Sequence, residues 1–239
     1  MEVLDPTVTV KKNITEEDLI EIPQKEVESN DDEDSGCEWE TDLESCFESE
    51  IHYSGSGPFD LLGKEEYLDS CKEIGVVPVS FFVRNIHKNE MKLAHHGIGP
   101  LGAKAMAICL AKNRNIKKLD LTQNGVEEEG AEHLGRMLQV NSCITDLNLS
   151  GNNLGARGAR AIGSMLVHNV YIQWLSLSCN GFMDHDAKYI AQGLCENVTL
   201  KYLNLSRNSF CEIGGKLLGP ALATNDGLTT LDISWNHLR

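Results

Sequence analysis

Leu119-Asp-Leu121-Thr-Gln-Asn124-Gly-Val126 is the stretch that decides the fold, because it recurs. It returns as Leu147-x-Leu149-x-x-Asn152-x-Leu154, Leu175-x-Leu177-x-x-Asn180-x-Phe182 and Leu203-x-Leu205-x-x-Asn208-x-Phe210, and finally as Leu231-x-Ile233-x-x-Asn236-x-Leu238. The step from Leu119 to Leu147 is 28 residues, and each later step is the same. A weaker copy, Met91-x-Leu93-x-x-His96-x-Ile98, precedes them. Self-similarity at a fixed period marks stacked units, none of which can bury its apolar faces alone.

Working outward, the rest of each unit keeps the same phase. Ile116, Ile144, Ile172, Leu200 and Leu228 form one column, and Met106, Leu134, Ile162, Ile190 and Leu218 a second. Leu110, Leu138, Leu166, Leu194 and Leu222 form a third, and Asn113, Asn141, Asn169, Asn197 and Asn225 a fourth. The alternation L-x-L predicts a short strand with one face inward. The second and third columns lie four residues apart, so they form the buried stripe of a helix. An asparagine after that stripe is expected to end the helix in a left-handed conformation. Each unit is therefore one strand, one turn and one helix, and stacking pairs the strands into a parallel sheet. The turn asparagines Asn124, Asn152, Asn180, Asn208 and Asn236 read as a structural ladder, since a primary amide offers donors and an acceptor to adjoining coils.

Strand–helix units of this length, reading L-x-x-L-x-L-x-x-N-x-L, resemble the ribonuclease-inhibitor type of leucine-rich repeat over about residues 89 to 239. Gly75-Val-Val-Pro-Val-Ser80, His95-His-Gly-Ile-Gly-Pro-Leu-Gly102 and Ser234-Trp-Asn-His-Leu-Arg239 are similar to the leucine-rich-repeat-containing protein 74 group. The resemblance implies an α/β right-handed solenoid in a cytosolic protein with more repeats than this chain carries. It brings no defined activity with it. The expected organisation is a disordered acidic tail over 1–57, a helical cap over 58–88 and a six-strand array over 89–239 whose last repeat is incomplete. In the cap, Lys64 to Gly75 reads as a helix with Leu68, Cys71 and Tyr67 inward. Pro78 interrupts it, and Ser80 is positioned to cap a second helix through His87. Arg239 follows the sixth strand directly, so the chain reads as a fragment or shortened isoform whose uncapped end would self-associate.

Charge is segregated. Met1 to Asp60 holds 19 Asp/Glu against 3 Lys/Arg, which is −16 of the formal −15, and the remainder carries 18 − 17 = +1. Such a segment buries too little apolar surface to offset its chain entropy. Trp39, Phe47, Ile51 and Tyr53 interrupt the acid run. They leave two readings open, a solubilising tail or a motif that folds on a basic partner. Ser29, Ser35 and Ser45 each have an acid three residues on, a pattern that acidophilic kinases favour. The folded part has no basic excess, so nucleic-acid binding is not expected. The N-terminus lacks a secretory pattern and no window is apolar enough to span a bilayer, so a cytoplasmic location with reduced cysteines is expected.

Motifs for nucleotide binding, nucleophilic hydrolysis and zinc hydrolysis are missing, and the reading is a non-enzymatic protein without cofactor or metal. His95 and His96 fall on a predicted strand and would face opposite ways. Cys109, Cys143, Cys179, Cys195 and Cys211 read as ordinary, mostly buried thiols at element flanks. Binding is better supported. Strand residues between the inward leucines would line the concave face, and the candidate partner-binding set is Lys118, Asp120, Asp146, Asn148, Trp174, Ser176, Tyr202, Asn204, Asp232 and Trp235. Glu90, Lys92 and Thr230 complete the two columns. Trp174 and Tyr202 would sit on neighbouring strands ~5 Å apart, either as anchors for a protein partner or as covers for gaps between strands. The alternative function is regulation of a small GTPase, since Ran GTPase-activating proteins use similar repeats. In that family the acidic stretch follows the repeats, whereas here it precedes them.

Overall fold

A computed structural model describes residues 63–238. The acidic tail over 1–57, with its aromatics and candidate phosphorylation serines, lies outside them, as do the start of the cap and Arg239.

The chain runs α1 (Lys64–Ile74), α2 (Ser80–Asn85), β1 (Glu90–Lys92), α3 (Gly99–Lys112), β2 (Lys118–Asp120), α4 (Glu127–Val140) and β3 (Asp146–Asn148). It continues through α5 (Gly155–His168), β4 (Trp174–Ser176), a 3₁₀ turn (Asp184–Asp186), α6 (Ala187–Glu196), β5 (Tyr202–Asn204), α7 (Glu212–Thr224) and β6 (Thr230–Asp232). The six strands form one parallel sheet in sequence order. Register follows the repeat without slippage: Leu119 pairs Leu147, Leu147 pairs Leu175, and Leu175 pairs Leu203. Every step of 28 residues is thus one step across the sheet.

The core fills the space between sheet and helices. Leu119, Leu121, Leu147, Leu149, Leu175, Leu177, Leu203 and Leu205 are fully buried, as are the helix stripe Met106, Leu134, Ile162 and Ile190. Phe182 and Phe210 occupy the column that holds Val126 and Leu154 in earlier units, and their rings meet at 6.4 Å. Strands pair at ~4.8 Å whereas packed helices need 8–10 Å, so stacking forces the sheet onto the inner, concave side of the array.

Buried backbone groups at the turns are satisfied by the asparagine ladder. Asn152 donates its amide nitrogen to the Leu121 carbonyl at 2.8 Å, and its carbonyl accepts the Asn124 N–H at 2.8 Å. Asn180 repeats this with Leu149 and Asn152, and Asn208 with Leu177 and Asn180.

The helix-ending asparagines differ from the sequence expectation. Asn113, Asn141, Asn169, Asn197 and Asn225 are extended, with φ from −63° to −87°, and none is left-handed. Each of these side chains makes its own bridge between repeats. The Asn141 amide donates to the Leu110 carbonyl of the previous helix at 2.7 Å, and its oxygen accepts the N–H groups of Cys143 and Ile144. Asn169, Asn197 and Asn225 reach Leu138, Leu166 and Leu194 in the same way. With the side chain closing the turn, a left-handed backbone is unnecessary. One left-handed residue recurs in the turn after each strand, at His95, Gln123, Gly151, Cys179, Arg207 and Trp235.

Three details of the cap also differ. Tyr67 and Cys71 are buried but Leu68 is only partly so. Ser80 is the first helical residue and Val79 occupies the capping position, without a side-chain bond. That helix stops at Asn85, short of His87.

Candidate functional site

The face that the sheet turns away from the helices is built by residues between the inward leucines. In a three-residue strand the middle side chain is buried and the outer two project to the other face. Trp174 and Tyr202 are register partners on β4 and β5, and their rings stack with centroids 5.0 Å apart and planes 4° from parallel. Each ring covers one side of the other, so both are half-buried. Both rings keep part of their surface exposed to solvent.

Polar residues around the stack divide into two groups. The first column supplies charge: Lys118 lies 3.8 Å from Asp146, and Lys92 lies 3.3 Å from Glu90. These are largely exposed pairs, worth ~0–1 kcal/mol, and are easily rearranged by a partner. The second column is engaged locally. Asp120 accepts the Thr122 N–H and hydroxyl at 2.9 and 2.6 Å, and Asn148 accepts those of Ser150. Asn204 accepts the Ser206 N–H, and Asp232 that of Ser234. These are Asx turns that steer the chain out of each strand. Ser176 is buried, its hydroxyl 2.8 Å from that of Ser150. Much of the second column thus also has a folding role, and Asp146 of the first column likewise accepts the Thr145 hydroxyl at 2.6 Å. A shallow depression of about 190 Å³ beside Trp174 is lined by Glu90, Lys92, Lys118, Asp120, Asp146 and Asn148, with Met91 and Leu119 at its base.

Trp235 does not join this stack. It lies in the turn beyond β6 with φ 56°, is 72% exposed, and has the Arg207 guanidinium 5.6 Å from its ring. His95 and His96 also lie in a turn, beyond β1, and are both exposed. Among the described residues no group of three His, Cys, Asp or Glu is placed to hold a metal ion. The described thiols are less buried than the sequence suggested: Cys71 and Cys109 are buried, whereas Cys179, Cys195 and Cys211 are exposed. The latter two stand at a helix end and in a turn that faces outward. No helix among the described residues is long and apolar enough to cross a membrane.

The solved structure titled Leiomodin-1 Actin-Binding Site 2 (ABS2) superposes with a TM-score of 0.48 at 21% identity, covering 70% of this chain and 90% of that one. The family profile described as Leucine Rich repeat matches residues 112–135 and 140–163. Leucine-rich repeat-containing protein 74B of Homo sapiens is 41% identical over 76 residues, 31% of this chain and 19% of the relative. The protein of the same name from Mus musculus is 39% identical over 81 residues, 34% of this chain and 20% of the relative. The matches thus span about a fifth of the length of these relatives. The repeat period, the sheet register and the profile match agree that residues 112–135 and 140–163 are leucine-rich repeats, and over the stretch that the relatives match the chain is similar to leucine-rich repeat-containing protein 74B.

Proposed function

We propose that this chain is a non-enzymatic protein–protein interaction scaffold whose partner binds the concave sheet face at Trp174 and Tyr202. The observation that carries this reading is the stacked, partly exposed aromatic pair with a largely exposed ion pair beside it. Large aromatics offer contact area at small entropic cost and recur as the anchors of protein interfaces. Lys118 and Asp146 would orient the partner, because each can exchange its exposed pairing for one across the interface. The Asx turns of the second column hold this surface rigid before binding, which limits the ordering cost. In the same reading the protein works in the cytoplasm with its cysteines as thiols.

Proximity labelling of the full chain and of the double variant Trp174→Ala/Tyr202→Ala tests the proposal. Anchors of this kind carry ~2 kcal/mol or more each, so a specific partner should lose at least roughly thirtyfold in affinity and drop out of the labelled set. Circular dichroism of both proteins should match, since the rings lie outside the core. An unchanged set of labelled proteins with the variant folded would overturn the reading.

A further inference from the structure

On the opposite side of the array, α5 and α6 bring together side chains that the partner-binding reading does not use. Arg160, Ser164, Val167 and His168 from α5, with Tyr189 and Gln192 from α6, line an open groove of about 230 Å³. The Tyr189 ring takes two cations, the Arg160 guanidinium at 5.5 Å from its centroid and the Lys188 ammonium at 4.7 Å. Hydrogen bonding from Arg160 first, and then from Lys188, holds the Tyr189 phenol below the usual tyrosine range.

Both cations are exposed, and neither forms an ion pair with a carboxylate among the described residues. Their neighbours in the repeat behave differently. Positions 132, 160, 188 and 216 are one column at the 28-residue step. Glu132 on α4 is bound by Arg157 at 2.9 Å and by Arg136 at 3.6 Å, and Lys216 on α7 is paired with Glu212. Within this column Arg160 and Lys188 are the two that meet at one aromatic ring, and neither is paired with a carboxylate among the described residues. Like charges held together are unfavourable until an anion joins them.

We propose that this groove is an anion site whose ligand is a phosphorylated side chain of a partner protein. A phosphate carries ~1.5–2 negative charges near neutral pH, which matches two cations where a single carboxylate would leave one uncompensated. The guanidinium fork of Arg160 fits two phosphate oxygens, and Lys188 supplies a point charge. Further donors surround the position. The Ser164 hydroxyl oxygen already accepts from Gln139 at 3.2 Å, which leaves its proton to donate. Tyr189 supplies a phenol and Gln192 an amide. No carboxylate lines the groove. His168 lines the same groove, its Nδ1 donating to the Ser164 carbonyl at 2.8 Å. The site is on the helix side and stands independently of the concave-face reading.

Titration of the uniformly ¹⁵N-labelled full chain with N-acetyl-O-phosphoserine amide, at fixed ionic strength in sodium chloride, tests this directly. Saturable shifts are expected at the amides of Arg160, Ser164, Lys188, Tyr189 and Gln192. The probe should bind several times more tightly than inorganic phosphate, and N-acetylaspartate amide and N-acetylserine amide should bind at least tenfold more weakly. Arg160→Ala and Lys188→Ala should each weaken the phosphoserine probe about tenfold, as expected for a lost charge-assisted contact. Lys216→Ala removes the same charge from the next helix and should leave the affinity unchanged. Equal affinity in Arg160→Ala and Lys188→Ala, an equal loss in Lys216→Ala, or equal binding of the unphosphorylated probes would overturn the proposal. Inorganic phosphate binding as tightly as the phosphoserine probe would overturn its assignment to a phosphorylated side chain. Both substitutions are on exposed helix positions, and circular dichroism identifies any variant that fails to fold.

Discussion

Gly163, in the middle of α5, shows how a single residue's environment reverses a general preference. In an exposed helix, replacing glycine by alanine stabilises by ~1 kcal/mol because it reduces backbone freedom. Here an added Cβ would press on the Tyr189 carbonyl of α6, a backbone atom that cannot swing aside. Overpacking against rigid structure costs ~1–3 kcal/mol. Gly163→Ala should therefore lower the free energy of urea unfolding by about that amount, where the helix scale alone forecasts a gain. The residue scale also explains the asparagines. At 124, 152, 180, 208 and 236 the motif points to a structural amide, and the observed ladder is that. At 113, 141, 169, 197 and 225 the position past a helix suggested a left-handed cap. The choice of an extended cap depends on a carbonyl 31 residues earlier, such as Leu110 for Asn141, which local sequence does not display.

At the scale of elements, the cap helix α1 is tied to the chain that follows it by one hydroxyl. The Tyr67 hydroxyl accepts the Val79 N–H at 3.1 Å, and its ring meets Phe82 edge-on at 4.7 Å. Tyr67→Phe keeps the ring packing but leaves a backbone N–H short of its partner. The expected loss is ~1 kcal/mol in equilibrium unfolding, with the far-ultraviolet spectrum unchanged. Desolvation by burial pushes the Tyr67 phenol above the usual tyrosine range, so its ionisation is disfavoured in the folded state. That contribution is complete below the pKa of an unfolded tyrosine, ~10, and is lost as the pH rises through the folded value. An alkaline unfolding series should show a steeper loss for the wild type above pH ~10 than for Tyr67→Phe. Strand edges also made the concave face only partly readable. The places of Trp174 and Tyr202 follow from the two-residue alternation, whereas the Asx turns that Asp120, Asn148, Asn204 and Asp232 also form do not.

For the whole molecule, stability is a sum over units and the interfaces between neighbours. Interfaces in the middle of the array are dry: Leu147, Leu175 and Leu203 are at most 1% exposed. The last strand is less covered, with Leu231 and Ile233 only half-buried. Hydrogen exchange read by mass spectrometry should therefore find α4 and α5 the slowest elements, and β6 with the turn after it the fastest. Uniform exchange along the array would mean that the units unfold as one block.

The repeat, the number of strands, their register and the inward leucines are all set by the sequence alone, because a 28-residue period leaves one way to superpose the copies. The resemblance to leucine-rich repeats and the ladder of turn asparagines follow from the same period. Tertiary structure decided what depends on contacts between units. It placed Trp174 face to face with Tyr202, moved Trp235 to a separate turn beside Arg207, and set Ser176 inside. It also joined Arg160 of one unit to Tyr189 of the next, making a groove that neither unit holds alone. The physical reason is that a period fixes which residues occupy equivalent places, whereas a site is made by side chains that differ between those places and meet only when the units stack.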